Sequence, residues 1–424
     1  MKRFIATLLI LGMLPLAAGA QWYLYPGSKN KQKEQFEKTA PQEQTPPKQQ
    51  APSEQLPPLE QQAPLEQQAP LERQAPADTL TEAGGDDFVL DIPETINVTL
   101  LLPLKSSTKP SSNFYEYYTG AMLAASDLGR SGLKIHLNVI DTESGSATAA
   151  ILEASDVIIG PVSTSSIKTM LPKVPEGKYI VSPLEPKSIA LTDSSRVIQA
   201  PAPSESQMDE LVKWIGEEKR FTDRLIVITE EDESRLGPNA AYLLSKLKKS
   251  GLELTISHTS TVNDIQLART TRFIVASDDE KYLCTSVNNI GNLALRNPGI
   301  ILYAQPRLRT SDAIHSETLY RANARMAASY YVDYSSGDVK DFILRFRAVF
   351  GTEPSSFAYS GYDTMHYFAS IVATYGRNWF KKLPDYSERG LQADFRFEES
   401  TTKGAVNRGV RRVVFTPDLS ASLK

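Results

Sequence analysis

Hydroxyl side chains gather at two points where a short apolar run ends. DVIIGPVSTSS carries Ser163, Thr164, Ser165 and Ser166 directly after Gly-Pro, and KYIVSPLEPKS carries Ser182 just before a second proline turn. A hydroxyl both donates and accepts, so such a group can cap a following helix or hold a polar ligand. Ser165 and Ser166 read as caps. For Ser163, Thr164 and Ser182 capping and ligand contact both fit, because the start of a helix also favours carboxylates and other anionic groups. Other chemistry has less behind it. Glu230, Glu231, Asp232 and Glu233 crowd the end of another apolar run and read as a solvated acidic loop, as does DDEK at 278–281. The four histidines, His136, His258, His315 and His366, lie far apart with no second ligand at helical or hairpin spacing, so no metal is expected. Cys284, the one cysteine, falls in an amphipathic stretch and reads as a buried structural thiol. No G-x-S-x-G, H-E-x-x-H or Gly-Lys-Ser/Thr phosphate loop occurs. Neither an enzyme nor a cofactor is therefore expected.

The elements that must position these hydroxyls alternate regularly. INVTLLLPL, KIHLNVIDTE, DVIIGP and KYIVSP read as buried strands. Helical segments separate them, and FYEYYTGAMLAASDL places Tyr117, Gly120, Ala121, Ala124 and Leu128 on one face for close packing. The pattern resumes after Pro203 with RLIVITE, RFIVASD and GIILYAQ as strands between helices. Such alternation predicts an α/β protein with parallel sheets covered on both faces. One sheet with this many strands would be unusually wide, which favours two doubly wound lobes. In such sheets ligands meet the loops at the carboxyl ends of strands.

The N-terminal part is of another kind. Lys2 and Arg3 precede the apolar run FIATLLILGMLPLAA and the small residues Ala18-Gly19-Ala20, the pattern of a secretory signal peptide over 1–20. After its cleavage no integral membrane span is expected. Residues 21–95 hold a Pro/Gln-rich linker in which QQAPLE repeats back to back. Proline at that density blocks helix and sheet pairing, so a disordered, extended tether is expected. The net charge of −4 and the lack of a basic stripe argue against nucleic acid as a partner.

These segments together resemble the type 1 periplasmic binding-protein superfamily, the fold of leucine/isoleucine/valine receptors. DVIIGPVSTSS is similar to its strand, Gly-Pro and hydroxyl loop, and YIVSPLEP to its Ser-Pro strand end. VIQAPAPSESQ is similar to its first crossing between lobes, and SSFAYSGYDTMHYFASIV to its late helix with an aromatic-Gly-Tyr-Asp element. It also resembles an envelope subgroup in which this domain follows a peptidoglycan-binding module; here the Pro/Gln repeat stands in that place. The resemblance implies a domain over 96–420 with three hinge crossings, near 199–203, 327–334 and 383–390. Lobe one would then comprise 96–203 and 338–382, and lobe two 204–330 and 391–416.

Carried over by position, the resemblance places a cradle for an amino acid's carboxylate and ammonium on Thr164, Leu184 and Pro186. A closing residue of lobe two falls near Leu236, and the acid that holds the ammonium near Gln305 or Pro306. Pro186 has neither hydroxyl nor N–H, and Gln305 carries no charge. The implied function is an exported, non-enzymatic binding protein of the bacterial envelope, in the periplasm. It would bind a small polar or amino-acid-like solute between its lobes and serve a transporter. The alternative is an envelope scaffold or regulator, for example of peptidoglycan synthesis, that uses the fold for protein contacts. The hydroxyl loops favour the first and the long tether the second.

Overall fold

A computed structural model describes residues 91–105, 109–258, 270–399 and 403–424. The signal peptide and nearly all of the Pro/Gln-rich tether lie outside the described residues. The chain folds into two α/β lobes. In lobe one, β1 (Ile96–Leu102), α1 (Ser112–Arg130), β2 (Ile135–Asp141), α2 (Ala149–Ala154) and β3 (Val157–Ile159) come first. They are followed by α3 (Thr164–Met170), β4 (Ile180–Ser182), α4 (Ile189–Thr192) and β5 (Val197–Gln199). Lobe two continues with α5 (Ser204–Glu218), β6 (Arg224–Thr229), α6 (Pro238–Lys249), β7 (Thr255–Ser257) and β8 (Thr271–Ala276). Next are α7 (Glu280–Ala294), β9 (Ile300–Ala304), α8 (Ser316–Arg321) and β10 (Arg325–Ala328). The chain then returns to lobe one through α9 (Gly337–Phe350), α10 (Ser356–Tyr375), the hairpin β11 (Glu388–Arg389) and β12 (Asp394–Phe395), and β13 (Ala405–Val406). It ends in lobe two with β14 (Arg411–Thr416) and β15 (Ser420–Leu423).

Sheet one has the order β13-β5-β4-β3-β1-β2 and every pairing in it is parallel. Sheet two has the order β15-β14-β10-β9-β8-β6-β7, parallel except for β14 and β15. Strands buried on both faces favour apolar residues on both, which is why β1 and β6 are mostly apolar, with Asn97 and Thr99 the polar residues inside β1. Along β1, Val98, Leu100 and Leu102 enter one core while Leu101 enters the opposite one. In β6, Ile226 and Ile228 face α7, and Leu225 and Val227 face α5 and α6.

The largest helix contact in lobe one is the crossing of α1 with α10. A Cβ on Gly120 would lie 1.9 Å from the Ala358 carbonyl oxygen, and one on Gly361 1.9 Å from that of Tyr117. The two backbones touch, and only glycine leaves room at both points.

The chain passes between lobes at 200–203, 329–336 and 407–410. The sequence places the third passage at 383–390 and gives 391–416 to lobe two, and here the structure differs. Residues 391–399 and 403–406 stay in lobe one because Phe395 and Phe397 are buried against Tyr367 and Phe368 of α10. β13 then pairs with β5 at the edge of sheet one. The aromatic core of lobe one outcompetes the strand-like alternation that suggested a sheet edge in lobe two. β15, which the sequence reading did not include, extends sheet two past 416.

Candidate functional site

The loop after β3 is shaped by its neighbours. Gly160 has φ +90°, and a Cβ there would lie 2.1 Å from the Leu101 carbonyl oxygen. Its N–H donates to Val181 O at 2.8 Å, fixing the loop against β4. Ser163 then caps α3: its Oγ accepts from Ser166 N at 3.1 Å and lies within 3.0 Å of the Ser165 and Ser166 hydroxyls. Thr164 Oγ1 is buried and has no hydrogen-bond partner among the described residues. Ser182 Oγ is in the same state, on a residue with no exposed surface at the end of β4. Because β3 and β4 are adjacent, in register Ile159 to Val181, these two hydroxyls belong to neighbouring strand exits.

Sheet one reverses its order between β1 and β3, and sheet two between β6 and β8. A crevice opens at the carboxyl ends of strands at such switch points. In lobe two the exits of β6 and β8 bring Glu230 and Asp278 to that edge. Glu230 Oε1 accepts from Ser277 Oγ at 2.6 Å, while its Oε2 is buried without a partner. Asp278 Oδ2 accepts from the Asn239 and Ala240 N–H groups at 2.9 and 3.1 Å and so holds the start of α6. Its Oδ1 faces the Arg307 guanidinium at 3.4 Å without a hydrogen bond. The Tyr282 hydroxyl lies 2.9 Å from Thr229 O and 3.0 Å from His258 O. Burial first, and then the Glu230 charge, push its pKa up to about 12, so it stays a neutral donor.

The remaining candidates are engaged within their own lobes. Leu184 packs against the lobe-one core, and Leu236 ends a short turn and packs into lobe two. Gln305 is buried, and its Nε2 donates to Val275 O at 3.1 Å. Glu230 and Ser277 are the residues the sequence reading passed over. The sequence groups Glu230 with Glu231, Asp232 and Glu233, which are exposed, whereas Glu230 itself is only half-exposed. The available signal was position: RLIVITE and RFIVASD end level with each other once β6 and β8 pair, Thr229 against Ala276. Among the described residues no group of three or more His, Cys, Asp or Glu could hold a metal, and no helix is long and apolar enough to cross a membrane.

No protein-family model matches the sequence, and no curated protein matches it. Solved structures do. A putative branched-chain amino acid ABC transporter protein from Rhodospirillum rubrum is similar over 78% of this chain and 100% of its own, at 14% identity and a TM-score of 0.51. An ABC transporter substrate-binding protein from Desulfitobacterium hafniense, in complex with Leu, covers 78% of this chain and 100% of its own at 16% identity and a TM-score of 0.45. The C-domain of LpoA from Haemophilus influenzae, a regulator of PBP1A, covers 77% and 99% at 13% identity and a TM-score of 0.48. The fold is that of the type 1 periplasmic binding proteins: two doubly wound lobes joined by three crossings.

Proposed function

We propose that this chain is an exported, non-enzymatic binding protein that takes a small polar or amino-acid-like solute at the strand exits of lobe one. The observation that carries this reading is the pair of buried hydroxyls without partners, Thr164 Oγ1 and Ser182 Oγ. A buried polar group left unsatisfied costs about 1–3 kcal/mol, a cost that a polar ligand group seated against these two adjacent exits would relieve. Ser163 supports them by holding the first turn of α3. The fold adds the expectation of a cleft between lobes, with Glu230 on the opposite wall.

A regulatory scaffold is the second reading, and specific residues favour it. Pro186 offers no donor where the amino-acid cradle needs one, and Gln305 carries no charge and gives one amide N–H to Val275 O. The side chains of Leu184 and Leu236 are committed to the cores.

A thermal-shift screen of the mature chain against amino acids, short peptides and muropeptides separates the two. A ligand that binds only the native state raises the melting temperature, by a stabilisation that grows with the logarithm of its concentration relative to Kd. On the receptor reading at least one class stabilises the protein, and Thr164→Ala or Ser182→Ala weakens that ligand by about 1–3 kcal/mol without lowering the melting temperature of the free protein. No stabilisation by any class, in either form, would leave the scaffold reading.

A further inference from the structure

The three passages between lobes are cross-linked by buried side chains. Arg411, at the first position of β14 and 2% exposed, uses all five of its N–H donors. Its Nε donates to Asp394 Oδ1 at 2.9 Å, one Nη to Tyr331 O at 2.6 Å and Leu391 O at 2.9 Å, and the other to Gly390 O and to Ala393 O at 3.3 Å. One guanidinium of lobe two thus holds the second passage, through Tyr331, and the 390–394 loop of lobe one. That loop is anchored in turn: Asp363 of α10 accepts from the N–H groups of Leu391, Gln392 and Ala393 at 2.6, 2.8 and 3.0 Å. Gln392 O receives Tyr331 N at 2.7 Å, a second tie between the same two segments.

The first passage is bound to the other two. Asn407 Nδ2 donates to Ala200 O at 2.9 Å and Asp394 O at 2.8 Å, while its Oδ1 accepts from Arg396 N and Gly409 N. Ser329 Oγ donates to Ala202 O at 2.8 Å and accepts from Gln207 Nε2 at 2.5 Å. Every passage is therefore joined to both others through Arg411, Asn407 or Ser329, each less than a tenth exposed.

We infer that this network is a hinge brace that sets the angle between the lobes in the absence of any ligand. A hinge that turns freely needs a few residues able to absorb large φ/ψ changes. Here rotation would pull the Arg411 fork off carbonyls on two other segments and strand buried donors and acceptors, so the relaxed angle is strongly preferred. The inference goes beyond the binding reading and does not depend on it: a protein that binds no solute would keep the same brace.

Spin labels on the full mature chain test it, at Lys168→Cys on α3 and Lys281→Cys on α7, in a Cys284→Ala background. Both label positions are exposed and lie on different lobes. Pulsed-dipolar measurement on the otherwise unaltered chain is expected to give one narrow distance distribution. Arg411→Lys keeps the charge but not the planar five-donor fork, and Ser329→Ala cuts the tie between the first two passages. Both are expected to broaden the distribution and shift its mean. Ser329→Ala, the milder change, decides alone if Arg411→Lys does not fold. A broad or multimodal distribution in the parent, or variants that fold and stay as narrow as the parent, overturns the inference.

Discussion

Asp363 lies wholly inside lobe one, with both carboxyl oxygens receiving backbone N–H groups. Burial raises its pKa against the pull of those donors and of Arg411, and the result stands at about 6 rather than the usual 3.8. His366, one turn further along α10, has its pKa raised from 6.5: burial alone would lower it, but the Glu388 carboxylate at 2.6 Å more than offsets this. A group whose folded pKa is raised contributes stability that is complete below its unfolded value and lost as pH rises through the folded one. Asp363 therefore loses its contribution as pH climbs through about 6, and His366 loses its own above 6.5. Glu218 has the opposite sign, with a pKa of about 2, but acts only below 4.5, at the acid end of this window. Unfolding free energies from urea titrations should therefore fall from about pH 4 through about 6 as Asp363 ionises, and fall further above 6.5 as His366 loses its proton. Asp363→Asn should remove the lower half of that slope, at a cost of about 1.5–3 kcal/mol for the lost charged acceptor. His366→Gln should remove the upper half. A parent profile flat across the range would show that neither group changes its protonation on folding.

Among the elements, α1 and α10 provide the clearest test of packing. A methyl at Gly361 would enter the space of the Tyr117 carbonyl oxygen, and helices cannot separate locally without opening the core around Tyr117, Tyr359 and Phe368. Gly361→Ala is thus expected to destabilise by about 1–3 kcal/mol or more. Gly216, inside α5 with nothing near its missing Cβ, is the control. Gly216→Ala should stabilise by about 0.5–1 kcal/mol through helix propensity alone. Chemical denaturation of both variants reads the difference, and equal effects would argue against the close crossing. Much of this layer was legible beforehand: the small face of α1 with Gly120, Ala121 and Ala124, the apolar strands, and the hydroxyls at two strand exits all follow from local pattern. The third passage did not, because 391–400 looks like strand in isolation, while Phe395 and Phe397 are held in lobe one by contacts with α10. Glu230 was hidden for a similar reason: three neighbouring acids are solvated, and only pairing of β6 with β8 singles it out. Arg411 left no signal at all, since four of its five acceptors are carbonyls, which every residue type supplies.

At the scale of the whole molecule, neither lobe is one stretch of chain. Lobe one needs α9, α10 and β13 from beyond lobe two, and lobe two needs β14 and β15 from the far end. Each has separate cores, with Val98, Leu100 and Phe368 in one and Phe273, Leu302 and Val413 in another. Two cores connected only by loose passages would melt as two events, because nothing would pass the loss of one to the other. The brace changes that expectation. When lobe two unfolds, Arg411 leaves, and Asp394 with the carbonyls of 390, 391 and 393 lose their buried partner in lobe one. Leaving buried acceptors without their partner costs about 1–3 kcal/mol each, together comparable to a large share of a domain's stability of about 5–15 kcal/mol. Calorimetry of the unaltered chain should accordingly show a single transition, with calorimetric and van't Hoff enthalpies equal. Arg411→Ala should split it into two, the lower one belonging to lobe one, whose 390–394 loop keeps its desolvated carbonyls and Asp394 without the guanidinium. Two separate transitions already present in the unaltered chain would mean that the passages carry too little energy to couple the lobes.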